Sequence, residues 1–115
     1  MTEVNVPPAY VVAILANVAP HAEVDEYLDR VQDTLAPFSG RYLVHGGESE
    51  VLEHPWTGSL VVIAFPSRAA AISWYESPAY RDIIALRTAH MDSSLVIVDG
   101  VPEGYVSGAT STSVG

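Results

Sequence analysis

Between residues 9 and 18 the chain runs AYVVAILANV, nearly free of polar side chains and rich in β-branched residues. That pattern predicts a strand buried on both faces, closed by Pro20. The period then changes. From Ala22 to Ala36, Val24, Tyr27, Leu28, Val31 and Leu35 recur at helical spacing, while Glu23, Asp25, Glu26, Asp29 and Asp33 fill the other side. The spacing predicts an amphipathic surface helix whose early acidic residues suit the helix dipole. PFSG breaks it, and RYLVHGG (41–47) predicts a second strand ended by the Gly pair, with Arg41, Leu43 and His45 on one face. ESEVLEHPWTG shows no periodicity and predicts an irregular connection to SLVVIAFP (59–66), a third strand stopped by Pro66. Ser67 is placed to cap a helix from Arg68 to about Glu76, and Ser77-Pro78 restarts the helix with a cap and a Pro at its first position. SLVIVDG (94–100) predicts the last strand. The Gly/Ser/Thr-rich end, residues 104–115, predicts a mobile tail after a single domain of residues 1–103.

Strand, helix, strand, strand, helix, strand is the ferredoxin-like split βαββαβ order. It predicts an α+β fold, a four-stranded antiparallel sheet with helices on one face. The first, third and last strands are apolar on both faces, so the second face also needs cover. A second copy stacked face to face supplies it most economically, giving a homodimer of the dimeric α+β barrel type.

Composition narrows the partners. With 14 acidic and 5 basic residues the net charge is −9, and all five cations are Arg, scattered at 30, 41, 68, 81 and 87. Nucleic acid and anionic membrane surfaces both need clustered Lys and Arg, so neither is expected as a partner. The absence of Cys removes disulfides, thiolate nucleophiles and Cys-type zinc sites. No basic segment followed by an apolar run marks a signal peptide, and the apolar runs fall short of the ~20 residues of a membrane helix, so a cytoplasmic protein is expected.

SGRYLVHGG, VLEHPW, VVIAFPSRAAAISWYESPAYRDIIALR and LVIVDGVP, in this order, resemble the domain-of-unknown-function family thirteen-thirty of the dimeric α+β barrel superfamily. The resemblance spans roughly residues 9 to 102, and its most specific part is the combined spacing of FPS, WYESPAY and LR. It implies a dimer with a cavity between sheet and helices in each subunit. Arg41, Glu53, Trp74, Tyr75, Ser77, Tyr80 and Arg87 match the family pattern. His54, His45 and Ala64 stand where the pattern has Gly, Arg and Glu, so a carboxylate is exchanged for imidazoles. Superfamily relatives include cofactor-independent monooxygenases of aromatic polyketides, isomerases, dehydratases and haem enzymes, so the fold alone does not fix the chemistry.

The candidate chemistry follows from residue types. His45, His54 and Glu53 are the candidate acid/base groups, since imidazole exchanges protons near pH 7 and a carboxylate neighbour orients it. His54, next to Pro55, is also consistent with a turn residue in water, and each His alone with an exposed imidazole without function. Arg41 and Arg87 can hold a developing oxyanion through the planar guanidinium, or can serve as structural ion-pair partners. Trp56, Trp74, Tyr75, Tyr80 and His90 are candidate lining residues, although Trp74 and Tyr75, adjacent on a helix, point about 100° apart and cannot share one contact. HExxH spacing is absent, as are a nucleophile elbow and a Gly-rich phosphate loop, so no metal and no organic cofactor are expected.

These features predict a small cofactor-independent enzyme acting by acid/base chemistry on a hydrophobic, aromatic or polyketide-like molecule, by oxygenation, isomerisation or elimination. The alternatives are a non-catalytic binding or carrier dimer and a subunit whose apolar surface serves oligomerisation only.

Overall fold

The computed structural model describes residues 6–108. Its elements are β1 (Ala9–Ala16), α1 (Ala22–Leu35), a 3-10 turn (Ala36–Phe38), β2 (Arg41–His45), β3 (Ser59–Phe65), α2 (Arg68–Glu76), α3 (Pro78–Arg81), α4 (Ile84–Thr88) and β4 (Asp92–Asp99). The strands form one antiparallel sheet in the order β2-β3-β1-β4, the ferredoxin-like arrangement that the periodicities predict. No helix among the described residues is long and apolar enough to cross a membrane. The predicted mobile tail falls largely on residues 109–115, outside the described residues.

Local signals set the helix boundaries. The Ser67 hydroxyl accepts the Ala70 amide at 3.1 Å, and the Ser77 hydroxyl both accepts the Tyr80 amide and donates to the Trp74 carbonyl at 2.7 Å. Ser77 thus closes α2 and opens α3, with Pro78 at the first helical position where its missing N–H costs nothing. Beyond that restart the chain forms two short helices rather than the single one the spacing suggests. The start of α1 is capped by a residue outside the usual Ser/Thr/Asp/Asn set: the His21 ring accepts the Glu23 amide at 3.0 Å.

The helices cover one face of the sheet. On that face Val11 and Ala13 of β1 lie opposite Ile63 and Val61 of β3 and Ile97 and Leu95 of β4. The core beneath the helices is filled by Trp74, Tyr80, Phe65, Leu35, Ile83 and Val31. Trp74 is 1% exposed, and its indole N–H donates to the Thr34 hydroxyl at 2.9 Å, so the ring is buried with its polar atom satisfied. Tyr75 points elsewhere, as the 100° argument requires, and the Arg81 guanidinium lies 4.4 Å from its ring centre.

The opposite face carries Val12 and Ile14 of β1, Val62 of β3 and Val96 and Val98 of β4. Among the described residues no helix covers it: Val96 is 57% and Val98 46% exposed. The apolarity of both faces is therefore present as predicted, with one face open to solvent in the single chain.

One register detail corrects the sequence reading. The pairing of β2 with β3 slips between Tyr42 and Val44, so Tyr42 faces Ile63, Val44 faces Val62 and His45 faces Val61. Leu43 occupies the extra position of a bulge, and a bulge exchanges the faces of the residues beyond it. Tyr42 and His45 consequently share the helix-side face, whereas Arg41, opposite Ala64, lies on the other one. The expectation that Arg41, Leu43 and His45 share one face fails for this reason.

Candidate functional site

A cavity of about 270 Å³ lies between the helix-side face of the sheet and the helices. This is just below the ~300–1,000 Å³ range of small-molecule sites. Its walls are apolar: Val11, Ala13 and Leu15 of β1, Leu95 of β4, and Val24 and Leu28 of α1. The helix-side residues of two apolar strands and the stripe of an amphipathic helix produce such a wall without any dedicated motif.

The polar groups in it fall into two sets. At the buried end, Arg87 is 4% exposed and lines the cavity together with Tyr80 and Tyr27. Its Nη1 donates to the Ser93 hydroxyl, its Nη2 reaches the Tyr80 hydroxyl at 3.4 Å, and its Nε has no partner. The Tyr80 and Tyr27 hydroxyls lie 2.9 Å apart. Burial raises the Tyr27 phenol well above its ordinary value, reinforced by Tyr80, so it stays protonated across the neutral range. No carboxylate among the described residues pairs with Arg87.

At the exposed end, the His45 ring stacks on the Tyr42 ring with centres 4.2 Å apart and planes within 3°. Tyr42 is pushed up to about 12, chiefly by burial, so it too is a neutral phenol near pH 7. Gly46 follows at φ +69°, a conformation open to glycine, which turns the chain out of β2 immediately after the imidazole.

The structure brings together four of the sequence candidates, His45, Trp74, Tyr80 and Arg87, around one cavity. It does not bring the others there. Arg41 lies on the opposite sheet face because of the bulge. Glu53, His54 and Trp56 sit exposed in the 46–58 connection, His54 at φ +63°, and Glu53 and Trp56 line only a shallow depression formed by that loop itself. Tyr75 packs against Trp74 and Tyr80 from outside the cavity lining. His90 is engaged with Glu23, at 2.8 Å, and its ring stacks on His21 with centres 3.8 Å apart. Tyr27 and Tyr42 are the lining residues that sequence reasoning missed. Tyr27 is indistinguishable from the rest of the α1 stripe, and the face of Tyr42 depends on a bulge that leaves no mark in the hydrophobic pattern.

His21, Glu23 and His90 tie the start of α1 to the segment before β4, beside Val24 and Met91 of the cavity lining. They hold ligand-type atoms within 4.8 Å of one another. All three are already engaged within the protein: His21 caps α1, and the Glu23 carboxylate takes a hydrogen bond from His90. That bond, with the charge of both imidazoles, holds the Glu23 carboxyl below its ordinary value. A depressed carboxyl stabilises the fold above its unfolded pKa, and the gain disappears as pH falls through the folded one. The urea midpoint of wild type should thus exceed that of Glu23→Gln at pH 6, and the two should converge on acidification below about pH 4. A constant gap down to pH 3 would show that the carboxylate is not the tie.

Comparison with known proteins places this architecture. The family model described as Domain of unknown function (DUF1330) matches residues 8–101. The chain belongs to this family. The DUF1330 chain also resembles solved structures. The methylated RPA0582 protein shares 18% identity over 87% of this chain and 85% of that chain, with a TM-score of 0.67. A second structure of RPA0582 describes it as a protein of unknown function from Rhodopseudomonas palustris. A dimeric ferredoxin-like protein of unknown function from Thermobifida fusca YX gives 12% identity, 82% and 92% coverage and a TM-score of 0.56. SnoaB from Streptomyces nogalater, a cofactor-independent oxygenase, gives 19% identity, 82% and 92% coverage and a TM-score of 0.52. At such identities the likeness carries the ferredoxin-like fold. No curated protein matches the chain.

Proposed function

We propose that this DUF1330 chain is a small homodimeric enzyme that transforms a hydrophobic, aromatic or polyketide-like molecule inside the sheet–helix cavity by proton transfer, without a cofactor. The observation that carries the reading is the arrangement of that cavity, with apolar walls, a stacked imidazole at its exposed end and a buried Arg87–Tyr80–Tyr27 array at the other. His45 is the base. It removes a proton from an acidic position of the bound molecule, and the negative charge that develops on oxygen is met by Arg87 and the phenols. The resulting enolate or phenolate then takes its proton back at another atom, expels a leaving group, or reacts with oxygen. The last outcome has support in the cofactor-independent oxygenase SnoaB, and the homodimer in the dimeric ferredoxin-like neighbour from Thermobifida fusca.

Native mass spectrometry of gently purified protein tests the reading, because it reports stoichiometry and any retained compound together. The expected result is a dimer carrying an apolar organic adduct, which the wild type converts in a product assay. His45→Asn should bind that compound within a few-fold of wild type while its kcat falls by about 10²–10⁴. Conversion that survives in His45→Asn removes His45 as the base. An adduct that the wild type binds but never converts makes the protein a carrier.

A further inference from the structure

Arg87 sets a permanent positive charge at the inner end of an apolar cavity, and among the described residues no carboxylate neutralises it. A guanidinium held out of water without a counter-charge is costly, and hydroxyl partners satisfy its hydrogens without cancelling its charge. A hydrogen count sharpens the point. Arg87 Nε–H is unspent. The Tyr27–Tyr80 pair holds two hydroxyl hydrogens, and its single oxygen–oxygen contact at 2.9 Å uses one of them, whichever residue donates. One cation and at least two free donors are thus gathered on residues that line the same space. A neutral carbonyl or a water would satisfy the donors and leave the charge; an oxyanion satisfies both.

Resting on the reading of this cavity as the ligand site, we infer that it selects apolar oxyanions: a hydrophobic carboxylate, or an acidic enol or phenol taken up in its ionised form. The oxygen sits on Arg87 and the Tyr27–Tyr80 pair, and the hydrocarbon body lies along Val11, Ala13 and Leu95. When an enol or phenol binds, its O–H bond breaks, the electron pair stays on oxygen and the proton goes to solvent, directly or by way of His45. The net charge of −9 works against any anion at long range, so the preference is local. Exposed charges are screened beyond ~8 Å at physiological salt, whereas the buried Arg87 is screened much less, so most of the preference persists when salt is raised.

Two pairs of probes test this. The first is 4-nitrophenol, whose colour reports its phenolate, against its neutral ether 4-nitroanisole; the second is 2-naphthoate against 2-naphthamide. Bound nitrophenol should ionise about one pH unit or more below free nitrophenol, a tenfold or greater preference for the anion, and naphthoate should outbind naphthamide by a similar factor. His45, Tyr42, Tyr27 and Tyr80 are the other titratable groups lining the cavity. Arg87→Met should therefore abolish the preference, and His45→Asn should not. Tyr27→Phe, a smaller change that removes one hydroxyl, should reduce it if the Met variant does not fold. A preference confined to naphthoate assigns carboxylic acids, and one confined to nitrophenol assigns enols and phenols. Neutral probes that bind as well as their anions, or a preference that survives Arg87→Met, overturn the inference while leaving the cavity a ligand site. Failure of all four probes to bind overturns both.

Discussion

Trp74→Ala should destabilise the protein by about 3–5 kcal/mol in urea denaturation, the range found when a large buried aromatic ring is truncated and the site closes only in part. Against a typical domain stability of about 5–15 kcal/mol this is a large fraction. The ring is 1% exposed and packs 4.1 Å from the centre of Tyr80 and 5.5 Å from that of Phe65, so its removal opens a void between the sheet and the helices. Trp74→Phe separates packing from hydrogen bonding. It keeps most of the ring and loses the bond to Thr34, whose hydroxyl retains its own bond to the Val31 carbonyl at 2.6 Å. The Phe variant should then cost about 1–2 kcal/mol, mainly one hydrogen bond and some contact area. Tyr80 rests on Trp74 and positions Arg87, so the Ala variant should also lose ligand affinity that the Phe variant keeps. A loss below about 1 kcal/mol for Trp74→Ala would mean that the core does not depend on this ring.

The fold was legible in the sequence because its main determinants are periodic. The unbroken apolar run of β1, the stripe of α1, and the Ser67 and Ser77-Pro78 signals each act within a few residues, and their order fixes the topology. The candidate site was legible only where it coincides with that periodicity. Trp74, Tyr80 and Arg87 lie in the helical stretch that the Ser67 and Ser77-Pro78 signals announce, and the structure combines features of both readings left open for Arg87: it is as buried as a core residue and faces the cavity, yet has no carboxylate partner among the described residues. Arg41, Tyr42 and His45 depended on a single residue of register. Glu53, His54 and Trp56 belong to a connection with no period at all, so nothing local announces where their side chains lie. The His21–Glu23–His90 tie joins two ends of the helical layer, and nothing local announces it.

The two faces of the sheet carry different parts of the proposed function, and this gives the second large expected effect. Val96→Asp should convert the proposed dimer into a monomer, with an apparent mass falling from about twice 12.3 kDa to about 12.3 kDa in sedimentation equilibrium. Val96 lies beside Val12 in the middle of the uncovered face, and stacking of two such faces would withdraw it from water in both copies. A buried carboxylate without a partner costs several kcal/mol per ion, and symmetry places two of them in one interface between chains that each carry −9. Each 1.4 kcal/mol weakens association about tenfold, so a loss of three orders of magnitude or more is expected. Ile72→Asp, on the exposed side of α2, adds the same charge away from that face and should leave the dimer intact. The cavity lies on the other side of the sheet, so a folded Val96→Asp monomer should retain the probe preference set by Arg87. A wild type that sediments as a monomer would overturn the dimer, and would leave a sheet with an exposed apolar face still to be covered by something else.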